Sequence, residues 1–212
     1  HSLLEQYKKG VMQKIFSQKI RFKDSDGNDY AAWEEKKLGE VGTLFSGGTP
    51  KSTNRDYYIG EIPFIRSGEI NSSNTKLFIS ESGLKSSSAK IVKKGDLLYA
   101  LYGATSGEVA ISKIEGAINQ AILCVRTNLN SVFLYNYLSY TKQRIIKTYI
   151  QGGQGNLSGD IIKSILIPVP CIQEQTKIAN FLSSIDKKIE KVQLQIDKAE
   201  EWKKGLLGRM FC

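Results

Sequence analysis

The sequence predicts an α+β fold: a mixed, mostly antiparallel domain followed by a long C-terminal helix of coiled-coil character. Three observations predict it. Ile178, Leu182, Ile185, Ile189, Val192, Ile196 and Ala199 recur at alternating spacings of four and three, with Lys, Glu, Asp, Gln and Ser filling the gaps. That is the seam of a helix packing on another helix rather than of a helix buried in a globular core. From Trp33 to about Pro170 the texture changes to short alternating segments punctuated by Gly, Ser and Asn. Within that stretch only 131–150 carries a broad apolar helical face, through Phe133, Leu134, Tyr137, Leu138, Ile145 and Tyr149.

In chain order, residues 1–16 read as a helix with Leu4, Tyr7, Val11 and Ile15 on one face. Residues 7–16 align without gaps on 202–211, sharing Lys-Lys-Gly and a final Phe. Residues 17–32 form a polar connector whose Asp24–Asp29 run is a loop, since its spacing and the missing downstream Glu do not make a calcium site. Leu38–Phe45 leads into the tight loop Ser46-Gly47-Gly48-Thr49-Pro50-Lys51, and Ile62–Ile65 is a short strand ending at Arg66-Ser67-Gly68-Glu69. Further strands are expected at Lys76–Ile79, Ala89–Val92, Leu97–Leu101 and Val109–Ile111. One more spans Ala117–Val125, with Asn119-Gln120 as a polar interruption read as a core hydrogen-bonding pair. The helix from Ser131 ends at the glycine-rich loop 151–156, and Lys163–Val169 closes the domain as a strand. Pro168 and Pro170 block helix upstream of residue 171, so the last helix starts sharply. At full length it would reach about 60 Å. Three parts follow: 1–32 helix and connector, 33–170 domain, 171–212 spacer helix.

Thirty basic against 21 acidic residues give a formal charge of +9, which favours a polyanionic partner, nucleic acid ahead of acidic protein or membrane. No apolar run approaches membrane-spanning length, and no signal peptide opens the chain. Cys124, Cys171 and Cys212 have neither pairing nor metal-ligand spacing, so a cytoplasmic protein without a metal is expected.

Catalytic signatures are missing. The only histidine is His1, which excludes His-based chemistry and the usual zinc sites. Gly47–Ser52 lacks the first glycine of a phosphate loop and carries Pro50 where helix amides should begin. Neither a methyl-donor loop nor the Asn-Pro-Pro-aromatic signature of DNA amino-methyltransferases is present. The chain therefore reads as a non-catalytic binding protein with no cofactor of its own. Arg66, Lys51, Arg55, Lys90, Lys93, Lys94, Arg126 and Lys163 lie among loops rich in hydroxyls and amides, including Tyr102, Thr105, Ser106, Gln151, Gln154 and Asn156. Such a mixture suits duplex DNA, whose phosphates take cations and whose base edges take amides, guanidiniums and hydroxyls.

Ordered short motifs also resemble a known family. Ser46-Gly47-Gly48-Thr49-Pro50, Ile62–Ile70, Lys94-Gly95-Asp96-Leu97-Leu98, Gly103–Gly107, Asn119-Gln120-Ala121 and Leu166–Pro170 followed by Ile172-Gln173-Glu174-Gln175 are similar to the DNA-specificity subunit of type I restriction-modification systems. The resemblance covers nearly the whole chain. It implies a target-recognition domain that reads one half of a split DNA sequence, and a conserved helix that rules the gap. It further implies docking of modification subunits, which carry S-adenosylmethionine and methylate adenine, and of restriction subunits in a nuclease-bearing complex. One recognition domain is present where the family has two. With the terminal repeat, this makes the chain look like the C-terminal half of such a subunit, expected to form a homodimer through the long helix.

The expected DNA-binding residues are Gly48, Thr49, Lys51, Arg55, Arg66, Ser67, Tyr102, Thr105, Ser106, Gln151, Gln154 and Asn156, in four loops. The expected helix-packing residues are Ile178, Leu182, Ile185, Ile189, Val192 and Ile196. The alternative is a coiled-coil protein-interaction adaptor without DNA specificity of its own.

Overall fold

The computed structural model describes residues 1–149 and 156–210, with side chains in the last helix as far as 206. Gln151 and Gln154 lie outside the described residues.

Helix α1 (Ser2–Phe16) is followed by the connector and then by strand β1 (Glu34–Lys37). The domain continues through β2 (Gly42–Ser46), β3 (Ile62–Ile65), β4 (Phe78–Ile79), the short helix α2 (Glu81–Lys85), β5 (Lys90–Val92), β6 (Leu97–Ala100), β7 (Val109–Ile111), β8 (Gly116–Ile118) and β9 (Ile122–Thr127). Helix α3 (Ser131–Tyr149), the short α4 (Gly159–Ser164) and β10 (Leu166–Val169) lead to α5 (Ile172–Met210).

Two four-stranded sheets carry the domain, in the orders β2-β9-β6-β7 and β4-β3-β8-β5. Among the described residues, every strand pairing is antiparallel except β3 with β8. Strand β6 shows how they stack. All four of its residues are buried: Leu97 and Tyr99 face a core completed by α3 and α4, while Leu98 and Ala100 face the other sheet through Ile65, Val92 and Ile118. A strand covered on both faces needs a continuous apolar run, and Leu97-Leu98-Tyr99-Ala100 supplies one.

Four elements differ from the sequence expectation, each for a local reason. The stretch 117–125 is two strands in different sheets; Asn119 and Gln120 turn the chain between them, with the Asn119 side chain accepting from Ala121 N at 3.2 Å. Residues 163–164 end a helical turn, not a strand, because the Ser158 hydroxyl caps α4 by accepting from Ile161 N. Ser80 caps α2 in the same way. Strand β1, Glu-Glu-Lys-Lys, has no apolar alternation at all; it forms by pairing with β10, from Glu34 opposite Val169 to Lys37 opposite Leu166.

The seam of α5 also departs from the expectation. Its first turns lie in the chain's own core, where Ile178, Leu182 and Ile185 pack with Met12 and Ile15 of α1 and Phe133 of α3. Helices α1 and α5 are antiparallel, since Lys8 meets Asp186 at 2.6 Å while Arg21, farther along, meets Glu174 near the start of α5. Asn130 caps α3, accepting from Val132 N and Phe133 N. Beyond Ile189 the helix stands clear: Val192 is half-buried and Ile196 is 36% exposed. The partner helix that the seam called for is thus α1 over the first half, and a second copy could meet only the remainder.

Candidate nucleic-acid interface

Register places six loops at one end of the sheets. Strand β8 ends at Ile118, which is level with Ile65 at the end of β3 and with Lys90 at the start of β5. Strand β9 begins at Ile122, level with Ala100 at the end of β6, and Leu123 is level with Ser46 at the end of β2. The loops at 47–51, 66–69, 86–89, 101–107 and 119–121 therefore leave or enter along a single rim. Leu157 N donates to Leu101 O at 3.0 Å, which brings the segment after α3, with exposed Asn156, to the same place.

Close backbone approaches lock the rim. A Cβ on Gly47 would lie 1.8 Å from Ile118 O, and one on Gly48 would lie 2.7 Å from the Ser88 Cβ. Thr49 Oγ1 donates to Gln120 Oε1 at 2.6 Å. Gly107, at φ +80°, lies under Ile146 and Lys142 of α3, and Lys142 pairs with Glu108, so the 101–107 loop is pinned to that helix.

Of the expected DNA-binding residues, the rim gathers Gly48, Thr49, Lys51, Arg66, Ser67, Tyr102, Thr105, Ser106 and Asn156. Gly48 is buried and shapes the loop; it offers no side chain. The Ser106 hydroxyl is occupied, donating to Leu101 O at 3.1 Å, and Tyr102 is half-buried against the core with its phenol held above the ordinary range by burial. Thr49 and Lys51 are exposed, and among the described residues Lys51 has no carboxylate within ion-pair distance. Arg55 is set apart. Its turn, Arg55–Tyr58, is held by Ser80 N donating to Tyr57 O, beside the start of β3, which is the end opposite Arg66.

Arg66 is tethered. Its Nε and Nη2 each donate to a Glu69 carboxylate oxygen at 3.2 Å, leaving the other three N–H groups of the fork directed elsewhere. Burial alone would raise the Glu69 carboxyl, but hydrogen bonds from Arg66, Lys76 N and Thr75 outweigh it and hold the group below its ordinary 4.5. A depressed folded value means that this cluster stabilises the fold above the ordinary value and loses that contribution as pH falls through the folded one. Arg66→Ala is expected to move the Glu69 titration upward, read from its side-chain carboxyl resonance; an unmoved titration would show that the pair does not form in solution.

Sequence reasoning missed Ser88 on this rim, took Gln120 as a core residue, and named Lys90 among the cations without placing it in the expected DNA-binding set. Gln120 is exposed there, not a core residue, and the Lys90 ammonium lies 5.5 Å from the centre of the Phe45 ring. The Ser86-Ser87-Ser88 run carried the same hydroxyl-rich signal as the loops that were singled out. Among the described residues, no group of three or more His, Cys, Asp or Glu side chains is placed to hold a metal ion, and no helix is long and apolar enough to cross a membrane.

Comparison with known proteins fits this architecture. Residues 30–200 match a family described as type I restriction modification DNA specificity domain. Over 200 residues the chain is 30% identical to the type I restriction enzyme MjaIX specificity subunit of Methanocaldococcus jannaschii, covering 88% of this chain and 45% of that protein. It is 26% identical over 164 residues to the EcoR124I/EcoR124II specificity subunit of Escherichia coli, covering 72% and 41%. The fold superimposes on the crystal structure of the HsdS subunit from Thermoanaerobacter tengcongensis with a TM-score of 0.68 at 18% identity, covering 92% of this chain and 46% of that one. The chain spans about half the length of the curated relatives it matches.

Proposed function

The chain belongs to the type I restriction-modification DNA specificity family, and from that premise we propose that it reads one half of a split DNA target and positions modification subunits, and in some complexes restriction subunits, on the DNA. The observation that carries this reading is the rim: loops distant in sequence converge there, rich in hydroxyls, amides and cations, on a chain of net charge +9. Phosphate contacts set register and base-edge contacts set sequence, and the rim offers groups for both. Lys51 is the phosphate candidate, and Arg66, oriented by Glu69, is the base-reading candidate. The chain performs no chemistry in this reading; S-adenosylmethionine is held by the modification subunit. The proposed assembly is a homodimer joined along α5 beyond Ile189, which would make the target a split palindrome. The adaptor reading has no observation in its favour.

The test is duplex binding across a salt series, beside mapping of methylated adenines after co-expression with the modification subunit. Lys51→Ala is expected to weaken binding to all sequences alike and to lower the salt slope by about 1. Arg66→Ala is expected to cost about 1–3 kcal/mol and to relax the sequence preference. Lys94 sits in the turn between β5 and β6, at the end away from the rim, so Lys94→Ala should change little beyond salt dependence. Equal losses from Arg66→Ala and Lys94→Ala would sink the assignment.

A further inference from the structure

Where α5 leaves the domain, two adjacent buried side chains tie four segments together. Glu174 is fully buried; it accepts from Arg21 Nη2 at 2.7 Å, from Arg21 Nε at 3.2 Å and from Trp33 Nε1 at 2.8 Å. Arg21 also donates to Ala31 O at 2.7 Å, and its guanidinium lies 5.8 Å from the centre of the Trp33 ring. Gln175, 2% exposed, donates through Nε2 to Pro170 O at 2.7 Å and accepts through Oε1 from Asn130 N at 2.9 Å. The first turn of α5, the connector, the end of β10 and the cap of α3 meet in this clasp.

The apolar contacts nearby cannot give the same definition. Ile178, Leu182 and Ile185 against Met12 and Phe133, with the Lys8–Asp186 pair, hold α5 to α1 and α3, but the hydrophobic driving force is itself non-directional. None of these contacts reaches the connector or the end of β10. The clasp is directional, and a buried carboxylate is tolerated only while its donors stay in place. We infer that Glu174 and Gln175 are positioning residues that fix the angle between α5 and the DNA-reading rim, and so determine the gap length that the subunit accepts between half-sites. The inference rests on the half-site reading above. Its leverage is large. The 39 residues of α5 span about 58 Å, so a tilt of about 5° at the clasp moves the far end by about 5 Å. One base pair rises only about 3.4 Å. A loosened clasp would therefore blur the ruler by about one base pair.

The test compares wild type, Glu174→Gln and a control, Thr176→Ala, on the same turn. Spin labels on non-cysteine unnatural residues at Thr43 in β2, on the sheet that carries the rim, and Lys198 in α5 report the distance between the domain and the helix. Glu174→Gln is expected to broaden that distance distribution by about twofold, and to leave half-site affinity and secondary structure as in wild type. The complex with modification subunits should then lose about tenfold in its preference for the wild-type gap over gaps one base pair longer or shorter. Should Glu174→Gln fail to fold, Gln175→Asn, which shortens the amide but keeps it, carries the same comparison. A lowered melting temperature with unchanged distance width and gap preference would overturn the inference and leave the clasp a stabilising contact. Broadening without a change in gap preference would overturn its specificity role. A wild-type complex that methylates no split site would overturn the half-site reading instead, and the gap-setting role with it, whatever the spin labels show.

Discussion

Leu182→Ala is expected to destabilise the chain by about 2–5 kcal/mol, whereas Ile196→Ala, two heptads along the same seam, is expected to cost less than about 1 kcal/mol. The two residues are equivalent in the sequence pattern and differ only in what covers them. Leu182 is fully buried among Ile178, Ile185, Met12, Ile15 and Phe133, so truncation removes transfer energy and leaves a cavity that helices α1 and α3 cannot both close. Ile196 is already 36% exposed. Urea unfolding followed by circular dichroism measures both. Similar costs for the two variants would mean that the whole seam shares one environment, and would remove the assignment of α1 as the partner of the first half. Protein concentration adds a second reading. If the open half of α5 is where two copies meet, the cost of Ile196→Ala grows with concentration, while that of Leu182→Ala does not follow it.

The same comparison explains what was legible in the sequence. A seven-residue apolar repeat announces a helix with one covered stripe, but not whose side chains cover it; Met12 and Ile15 lie at the far end of the chain from Leu182. Strands covered on both faces, such as Ile62–Ile65 and Leu97–Ala100, are visible as short apolar runs between turns. Strand β1 is not visible, because four charged residues gain a strand conformation only from the ladder that β10 offers. The clasp was hidden for a related reason. Glu174 and Gln175 look like solvent-facing residues of an amphipathic helix, and their burial depends on Trp33 and Arg21, 141 and 153 residues away in sequence. In the rim, the Gly- and hydroxyl-rich loops marked most of the right segments. Their convergence is set by strand register, which joins 66, 88 and 120 and puts Arg55 elsewhere.

Gly47→Ala is expected to be the most damaging small substitution on the rim, costing about 3 kcal/mol and abolishing sequence-selective binding. The reason is close approach, since Gly47 does not occupy the left-handed region of backbone space. An added methyl would stand 1.8 Å from Ile118 O and 2.5 Å from its carbonyl carbon, and neither is the movable end of a side chain. To admit it, the end of β2 must part from the end of β8. That separation breaks the hydrogen bond from Gly48 N to Ile118 O and the one from Thr49 Oγ1 to Gln120 Oε1. Three loops of the rim then lose their register at once. Gly68→Ala is the comparison that separates architecture from contact. A Cβ at Gly68 meets nothing within 4 Å, so the fold should lose less than about 1 kcal/mol. Gly68 is exposed two residues from Arg66, where a duplex read by Arg66 would pass. A drop in DNA affinity for Gly68→Ala without a drop in melting temperature would place the duplex against this turn. A parallel fall of affinity and stability in Gly47→Ala would show that Gly47 acts by building the rim. If Gly47→Ala melts as wild type does, the close approach of β2 to β8 is wrong, and the convergence of the rim loops falls with it.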